Sequence, residues 1–279
     1  MTKPFPVSSA LKHYPLAGTD MIVSPLGLGT VKLGRDQGVK YPDSFTIPDD
    51  RAAADLLALS HDLGINLLDT APAYGRSEER LGPLLQGQRD RWLICSKVGE
   101  EFDNQTGQSH FDFTPEHVRL SVERSLQRLQ TDVIDMLLVH SDGNDMEIIE
   151  RYGIQEQLER LKQEGKIRAG GMSTKTVEGG IETLKRSDIA MVTHNLSYRD
   201  EEAVIDYADA NGKGILIKKA LASGHACIEP DSDPVQSSFD MIFAHPGVNS
   251  AIIGTINPKH LQENVAAVIA SLNKAGRLE

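Results

Sequence analysis

Apolar and polar positions fall in blocks along this chain rather than alternating residue by residue. Short, nearly unbroken apolar runs occur at 24–30, 65–69, 92–98, 133–140, 167–173, 189–195, 214–219 and 249–254. Such runs lack the in–out pattern of a half-solvated strand and predict parallel strands covered on both faces. Between them the helical period takes over. Asp49 or Asp50 caps a helix with Ala53, Leu56, Leu59 and Leu63 on one stripe, and Gly64 stops it. Thr114-Pro115-Glu116 opens another, with Val118, Val122, Leu126 and Leu129 facing inward. Asn257-Pro258 starts a last helix that runs toward Gly276, while Glu164-Gly165 and Asn211-Gly212 read as helix ends leading into strands.

Eight strand–helix units fill the 279 residues, and no composition shift or low-complexity linker marks a boundary. The pattern predicts an α/β protein of one domain, residues 1–279, built as a closed (β/α)8 barrel. A Gly-Thr-Asp turn within 13–23 predicts a short N-terminal β-hairpin before the barrel. A doubly wound open sheet is the rival. It would carry a phosphate-binding fingerprint after its first strand, and Gly27-Leu28-Gly29-Thr30-Val31-Lys32 lacks the third glycine.

Composition narrows the function. Apolar residues make up 39% and charged residues 25%, enough for a large core under a polar surface. A formal net charge of −11 disfavours a nucleic-acid surface, which needs clustered Lys and Arg. No apolar run approaches the roughly 18 residues of a membrane helix, and MTKPFPVSSALKHYP has no apolar signal-peptide centre. Cys95 and Cys227 are too few for a disulfide framework or a four-cysteine metal site, and no H-E-x-x-H motif occurs. These features predict a cytoplasmic protein without nucleic-acid, membrane or metal partners. It acts on a small molecule as a monomer or weak homo-oligomer.

In such a barrel, functional side chains gather at the C-terminal strand ends. Three consecutive strands end in an ionisable residue after an apolar run: INLLD at Asp69, WLICSK at Lys97 and VIDMLLVH at His140. By strand alternation Asp69 shares a face with Leu67, Lys97 with Cys95, and His140 with Leu138. If those apolar residues fill the barrel, the three polar groups meet at its mouth, and Tyr74 follows in the loop after Asp69. Taken singly each has an ordinary reading: a helix cap, an ion-pair partner, a satisfied imidazole, a packed phenol. Taken together they suit carbonyl reduction. A phenol with a pKa of about 10 is a poor acid near neutrality. Lys97 would lower the Tyr74 pKa, Asp69 would keep Lys97 charged, and His140, as a neutral donor, would hold the carbonyl oxygen.

At these residues the chain resembles the aldo-keto reductase superfamily. GINLLDTAPAYGRSEERLG resembles the family block that supplies the catalytic Asp and Tyr; LICSKVG resembles its Lys strand and DMLLVHSDG its His strand. The similarity extends through LGLGT, GKIRAGGMST, THNLSYRDEE, GILIKKALASG and IIGTINPKHLQENV, nearly the whole chain. The resemblance implies hydride transfer between a nicotinamide cofactor, NAD(P)H, and an aldehyde, ketone or sugar carbonyl. It implies the catalytic set Asp69, Tyr74, Lys97 and His140. It also implies a cofactor held by Thr30, Asp69, Ser173, Thr174, the segment Lys218, Lys219, Ala220, Leu221 and Ser223, and by Gly254, Thr255, Ile256, His260, Glu263 and Asn264.

Several positions depart from the family pattern. Thr174 stands where Asn is usual, Met191 where Gln is usual, and Lys218 where an aromatic commonly stacks on the nicotinamide. Lys or Arg often holds the 2′-phosphate of NADPH at the positions of Gly254 or Ile256 and of His260. Without that clamp a phosphate binds less well, which predicts tolerance of NADH, with Lys259 the one residue able to rescue NADPH. The substrate walls are expected from loops 31–48, 100–113 and 141–148, with Tyr41, Phe45, Phe102, Phe111 and Phe113 as apolar candidates and Lys32, Arg35 and Lys40 as polar ones. Trp92, at the start of a strand, belongs at the opposite end. Two other functions compete: a Schiff-base lyase using Lys97 or Lys218 as nucleophile, and a catalytically weak, cofactor-sensing homologue.

Overall fold

A computed structural model describes residues 10–227 and 233–278. Strands β1 (Tyr14–Pro15) and β2 (Ile22–Val23) pair antiparallel as the expected hairpin. The parallel strands then begin with β3 (Leu26–Gly29), β4 (Leu67–Asp69) and β5 (Leu93–Val98). A second antiparallel hairpin follows, β6 (Glu100–Asp103) and β7 (Gln108–Phe111), in the segment read from sequence as loop. The parallel series resumes with β8 (Ile134–His140), β9 (Ile167–Ser173), β10 (Ile189–Thr193), β11 (Gly214–Lys218) and β12 (Ser250–Ile253). These eight close as β3-β4-β5-β8-β9-β10-β11-β12, with β12 pairing back onto β3. The fold is the (β/α)8 barrel.

Two apolar layers hold it. Leu67, Cys95, Met136, Leu138, Ala169, Met191 and Leu216 fill the barrel interior, and Leu16, Met21 and Val23 of the first hairpin pack against them as a floor. The outer layer, including Leu68, Ile94, Leu137 and Ile217, meets the helices. Neighbours along each strand thus divide between the two layers, as a pleated strand requires.

The helix ends follow the predicted chemistry. The Asp49 carboxylate accepts from Ala52 N–H and caps the helix Asp50–Asp62. Asn257 caps Pro258–Lys274 through Lys259 N–H. Trp92 lies at the floor, where Arg89 and Arg168 pair with the buried Asp135 carboxylate at 2.8 and 2.7 Å. This end is structural, consistent with chemistry at the opposite rim. Among the described residues no helix is long and apolar enough to cross a membrane.

Candidate active site

The inward parity that places Leu67, Cys95 and Leu138 in the barrel carries Asp69, Lys97 and His140 to its rim. In the ladder, Asp69 lies level with Cys95, Lys97 with Leu138, and His140 with Ser173. Lys97 Nζ donates to Asp69 Oδ1 at 2.5 Å and to the Thr70 carbonyl at 2.9 Å. Both side chains are almost wholly out of solvent, 2% exposed for Lys97 and 5% for Asp69. The chain then turns through Pro72–Tyr74, and Gly75 adopts a left-handed φ of 62°. A Cβ there would come within 2.2 Å of the Gly34 carbonyl oxygen, so only glycine lets this turn close. The turn aims Tyr74 Oη back at Asp69, donating to Oδ2 at 3.2 Å. Lys97 Nζ is 4.7 Å from the centre of the phenol ring, and the His140 ring stands edge-on to it at 6.3 Å. All four expected residues share one site.

Glu100, at the start of β6, joins them, and sequence reasoning missed it. Its Oε2 lies 2.9 Å from His140 Nδ1, in an orientation that makes no well-aligned hydrogen bond. Arg35 Nη1 approaches Glu100 at 3.9 Å, and the same guanidinium stacks 3.7 Å above the Phe102 ring. Glu100 is separated from the Lys97 strand only by Gly99, but no periodic signal shows that the chain doubles back there.

Burial and charge tune these groups in opposite senses. Burial pushes the Tyr74 phenol well above its ordinary value, the Asp69 charge adds to this, and Lys97 opposes both. Lys97 therefore acts in the expected direction but does not prevail against burial and the Asp69 charge. For Lys97 itself burial favours the neutral amine, and the adjacent carboxylate overrides that, holding it as an ammonium. Burial would raise the Glu100 pKa, but His140, Ser109 and Arg35 together lower it to about 2. His140 is lowered, chiefly by burial, with Glu100 opposing and Lys97 and Lys218 reinforcing.

A cavity of about 1000 Å³ opens from this cluster across the rim. That is the upper end of the roughly 300–1,000 Å³ typical of small-molecule sites, large for a simple carbonyl compound alone. It is lined by Asp69, Tyr74, Lys97 and His140, by Ser173, Met191, Lys218, Lys219, Ala220, Leu221 and Ser223, and by Gly254, Thr255, His260, Glu263 and Asn264. Asp233, Val235, Gln236, Ala266 and Ala267 also line it and carried no sequence signal. Thr30, Thr174 and Ile256 do not form its wall. The Thr30 hydroxyl donates to the Asp69 carbonyl, Thr174 Oγ1 donates to Glu201, and Ile256 packs against the outer core.

Lys218 is not a solvated strand-end charge. Its Nζ donates to Ser173 Oγ at 2.9 Å and to the Thr174 carbonyl, with the buried Glu201 carboxylate nearby. Burial lowers its pKa to about 8. The segment that follows is strained: Lys219, Ala222 and Ser223 all have φ between 47° and 59°. Non-glycine residues keep such geometry only when the surroundings demand it, and it concentrates at ligand clamps. Across the cavity, a Cβ on Gly254 would meet Tyr41 Oη at 2.8 Å.

Of the expected substrate-loop residues, Tyr41 and Lys32 line the cavity, and Lys32 Nζ sits 4.0 Å over the Tyr41 ring. Phe45 backs Tyr41 edge-on, Phe113 is buried against Tyr152, and Phe111 is exposed. None of Phe45, Phe102, Phe111 and Phe113 lines the cavity.

The family model described as aldo/keto reductase family matches residues 25–240. The crystal structure of PA4992 from Pseudomonas aeruginosa superposes with a TM-score of 0.86 at 61% identity, covering 95% of this chain and 98% of that one. An uncharacterized oxidoreductase of Bacillus subtilis, YqkF, is 28% identical over 93% of this chain and 92% of its own length. The NADH-specific methylglyoxal reductase of Escherichia coli is 30% identical over 77% of this chain and 68% of its own.

Proposed function

Because the chain belongs to the aldo/keto reductase family, we propose that it is an NAD(P)-dependent alcohol dehydrogenase or carbonyl reductase acting on a small aldehyde, ketone or sugar. Tyr74 is its general acid and base. The observation that carries this reading is the chain of contacts from Tyr74 Oη to Asp69 Oδ2 and from Asp69 Oδ1 to Lys97 Nζ, beside His140 in one cavity.

The residues present fit a pyridine dinucleotide. The cavity is continuous from the phenol to the start of the helix Pro258–Lys274, whose N-terminal N–H groups favour an anion. A strained backbone segment borders it at 219–223, and Gly254 leaves no side chain in the way. Ser173, Lys218–Leu221 and Ser223 would hold the nicotinamide and pyrophosphate end, and Gly254, Thr255, His260, Glu263 and Asn264 the adenosine end. When bound, the nicotinamide supplies or accepts the hydride.

The chain's own residues then handle the proton. In reduction Tyr74, protonated across the neutral range because burial holds its pKa high, delivers its proton to the developing alkoxide. Lys97 lowers the cost of the phenolate left behind, and Asp69 fixes the ammonium where it does so. His140 contacts the substrate oxygen from the other side. Tyr41 stands over Gly254 at that end of the cavity.

We further propose that NADH is accepted, and preferred over NADPH. The first turn beyond β12 presents no lysine or arginine to the cavity: Lys259 points outward and pairs with Glu263 at 3.4 Å on the helix surface. The similarity to an NADH-specific reductase supports the same choice.

Fluorescence titration with NADH followed by an aldehyde panel tests the main reading. Tyr74→Phe should keep its cofactor affinity and lose at least about a hundredfold in turnover, the scale of a lost general acid. Unchanged turnover would sink the assignment. A Schiff-base mechanism has one observation in its favour, the depressed pKa of Lys218 within the cavity. Borohydride trapping of a carbonyl substrate on Lys218 is the result that reading requires.

A further inference from the structure

The contact between Glu100 and His140 has no counterpart in the set of four residues that the sequence marks out, and it constrains where the imidazole carries its proton. Nδ1 is buried and has no hydrogen-bond partner besides the carboxylate oxygen 2.9 Å away. An ionised carboxylate has only lone pairs to offer. A bare Nδ1 would set lone pair against lone pair at that distance, whereas an N–H there is attracted even at a poor angle. The position of the proton on one ring nitrogen is set by what the other nitrogen meets.

We infer that Glu100 is a positioning residue that fixes the proton of neutral His140 on Nδ1, leaving Nε2 as an acceptor toward the cavity, so that the ring donates to a carbonyl oxygen only as an imidazolium. This replaces the neutral donor expected from sequence. A carbonyl oxygen presents lone pairs, and Nε2 of the Nδ1–H tautomer presents another. Binding a carbonyl substrate against this ring therefore requires uptake of a proton at Nε2. An alcohol does not: its hydroxyl can rest on the neutral ring and turns its proton to the Tyr74 phenolate when it is oxidised. At His140 only the Nε2–H bond forms and breaks. The hydride and the Tyr74 proton complete the alcohol, and the ring's extra proton returns to solvent after release.

The groups around the ring define how it titrates. Glu100 favours the imidazolium, and His140 itself, Ser109 and, more weakly, Arg35 hold Glu100 ionised. Lys97 and Lys218 disfavour it, as does burial. Tyr74 faces it edge-on, and Asp69 lies behind the phenol, already neutralised by Lys97. Arg35 is itself held in place by a 2.8 Å hydrogen bond to the Ala73 carbonyl, next to the turn that carries Tyr74. The second hairpin thus ties the proton of the oxygen-binding residue to the loop that bears the acid.

The placement of the proton rests on geometry alone; its effect on turnover rests on the reductase reading above. Long-range nitrogen–proton spectra of the 15N-histidine-labelled protein decide the first, with the His140 signals among the nine histidines identified by their loss in His140→Gln. The expected result, at a pH where the ring is neutral, is a protonated Nδ1 and a lone-pair Nε2. A protonated Nε2 overturns the inference, whatever the enzyme's activity.

Glu100→Gln decides the second. Its amide can donate to Nδ1 and so move the proton to Nε2. In wild type, kcat/KM for carbonyl reduction should fall about tenfold per pH unit above the ring's pKa, since only the protonated ring serves. In Glu100→Gln that falling limb should vanish, and the spectra should switch tautomer. A limb unchanged in Glu100→Gln, together with an unchanged tautomer, removes Glu100 from the role. If wild type turns over no member of the aldehyde panel, the reductase reading fails while the spectra still report on Glu100.

Discussion

Lys218 Nζ sits 2.9 Å from Ser173 Oγ, so the hydroxyl that the family resemblance assigns to the nicotinamide carboxamide is already held by an ammonium. This ammonium lines the same cavity as Tyr74 and His140. A cation there penalises the positively charged oxidised nicotinamide relative to the neutral reduced one, by on the order of 1–2 kcal/mol at partly screened distances. The sign with pH follows from the lowered pKa of about 8: the penalty is full well below pH 8 and fades above it. The ratio of the Kd values for NAD+ and NADH, measured by isothermal titration, should therefore drop roughly tenfold between pH 6.5 and 9.5. Lys218→Met should show the low ratio at both. A ratio that ignores both pH and the substitution excludes Lys218 from this role.

The Asp69–Lys97 pair should be costly to break and cheaper to remove. Both partners are buried, so deleting one leaves an uncompensated charge, a loss of about 3–5 kcal/mol. Lys97→Met and Asp69→Asn should each lower the urea midpoint strongly. The double variant should recover part of the loss, because no buried charge is left alone. Additive losses in the double variant would show that the two charges do not depend on each other.

The sequence made these residues legible for a specific reason. Three apolar runs ended in one ionisable residue each, and the two-residue period carried Asp69, Lys97 and His140 onto the interior face with Leu67, Cys95 and Leu138. The eight strands were legible too, although their ends overshoot. The run at 65–69 contributes only Leu67–Asp69 to the ladder, since Ile65 N–H bonds to the Ser60 carbonyl and the Asn66 side chain bonds to Ser24 N–H. What stayed hidden depends on side chains meeting across the fold. The second hairpin buries only a carboxylate, Glu101, and every residue of β7 is exposed, so it leaves no apolar pattern and Glu100 gave no sign of turning toward His140. Lys218 was visible as an odd residue, but its hold on Ser173 and Thr174 depends on neighbouring strands brought together only by barrel closure.

The high Tyr74 pKa separates the two directions of the reaction. Burial and Asp69 raise it and Lys97 opposes them, so the phenol is protonated throughout the neutral range, as reduction requires. Oxidation requires the phenolate, so its kcat/KM should climb with pH and still be rising at pH 9.5. Lys97→Met removes the group that lowers the pKa and should push this rise further toward alkaline pH. An oxidation rate that levels off near neutrality would place the working base elsewhere.

Cofactor choice gives the last test, because the chain blocks one route to NADPH and leaves another open. Gly254 is approached by Tyr41, and any Cβ there falls 2.8 Å from the phenol oxygen. An arginine at 254 would therefore displace the Tyr41 loop as it added charge. His260 lines the cavity from the exposed first turn of the helix Pro258–Lys274 and can be enlarged without touching the core. Wild type should bind NADH at least about tenfold more tightly than NADPH, a difference of about 1.4 kcal/mol. His260→Arg should narrow that gap by about tenfold and leave NADH affinity unchanged, since a charge-assisted bond forms only with the 2′-phosphate. Gly254→Arg should weaken both cofactors. Titration of the three proteins with both nucleotides checks all of this at once. A hundredfold preference of wild type for NADPH would defeat the proposal, because it would require a phosphate site built without the lysine or arginine that such a site ordinarily uses.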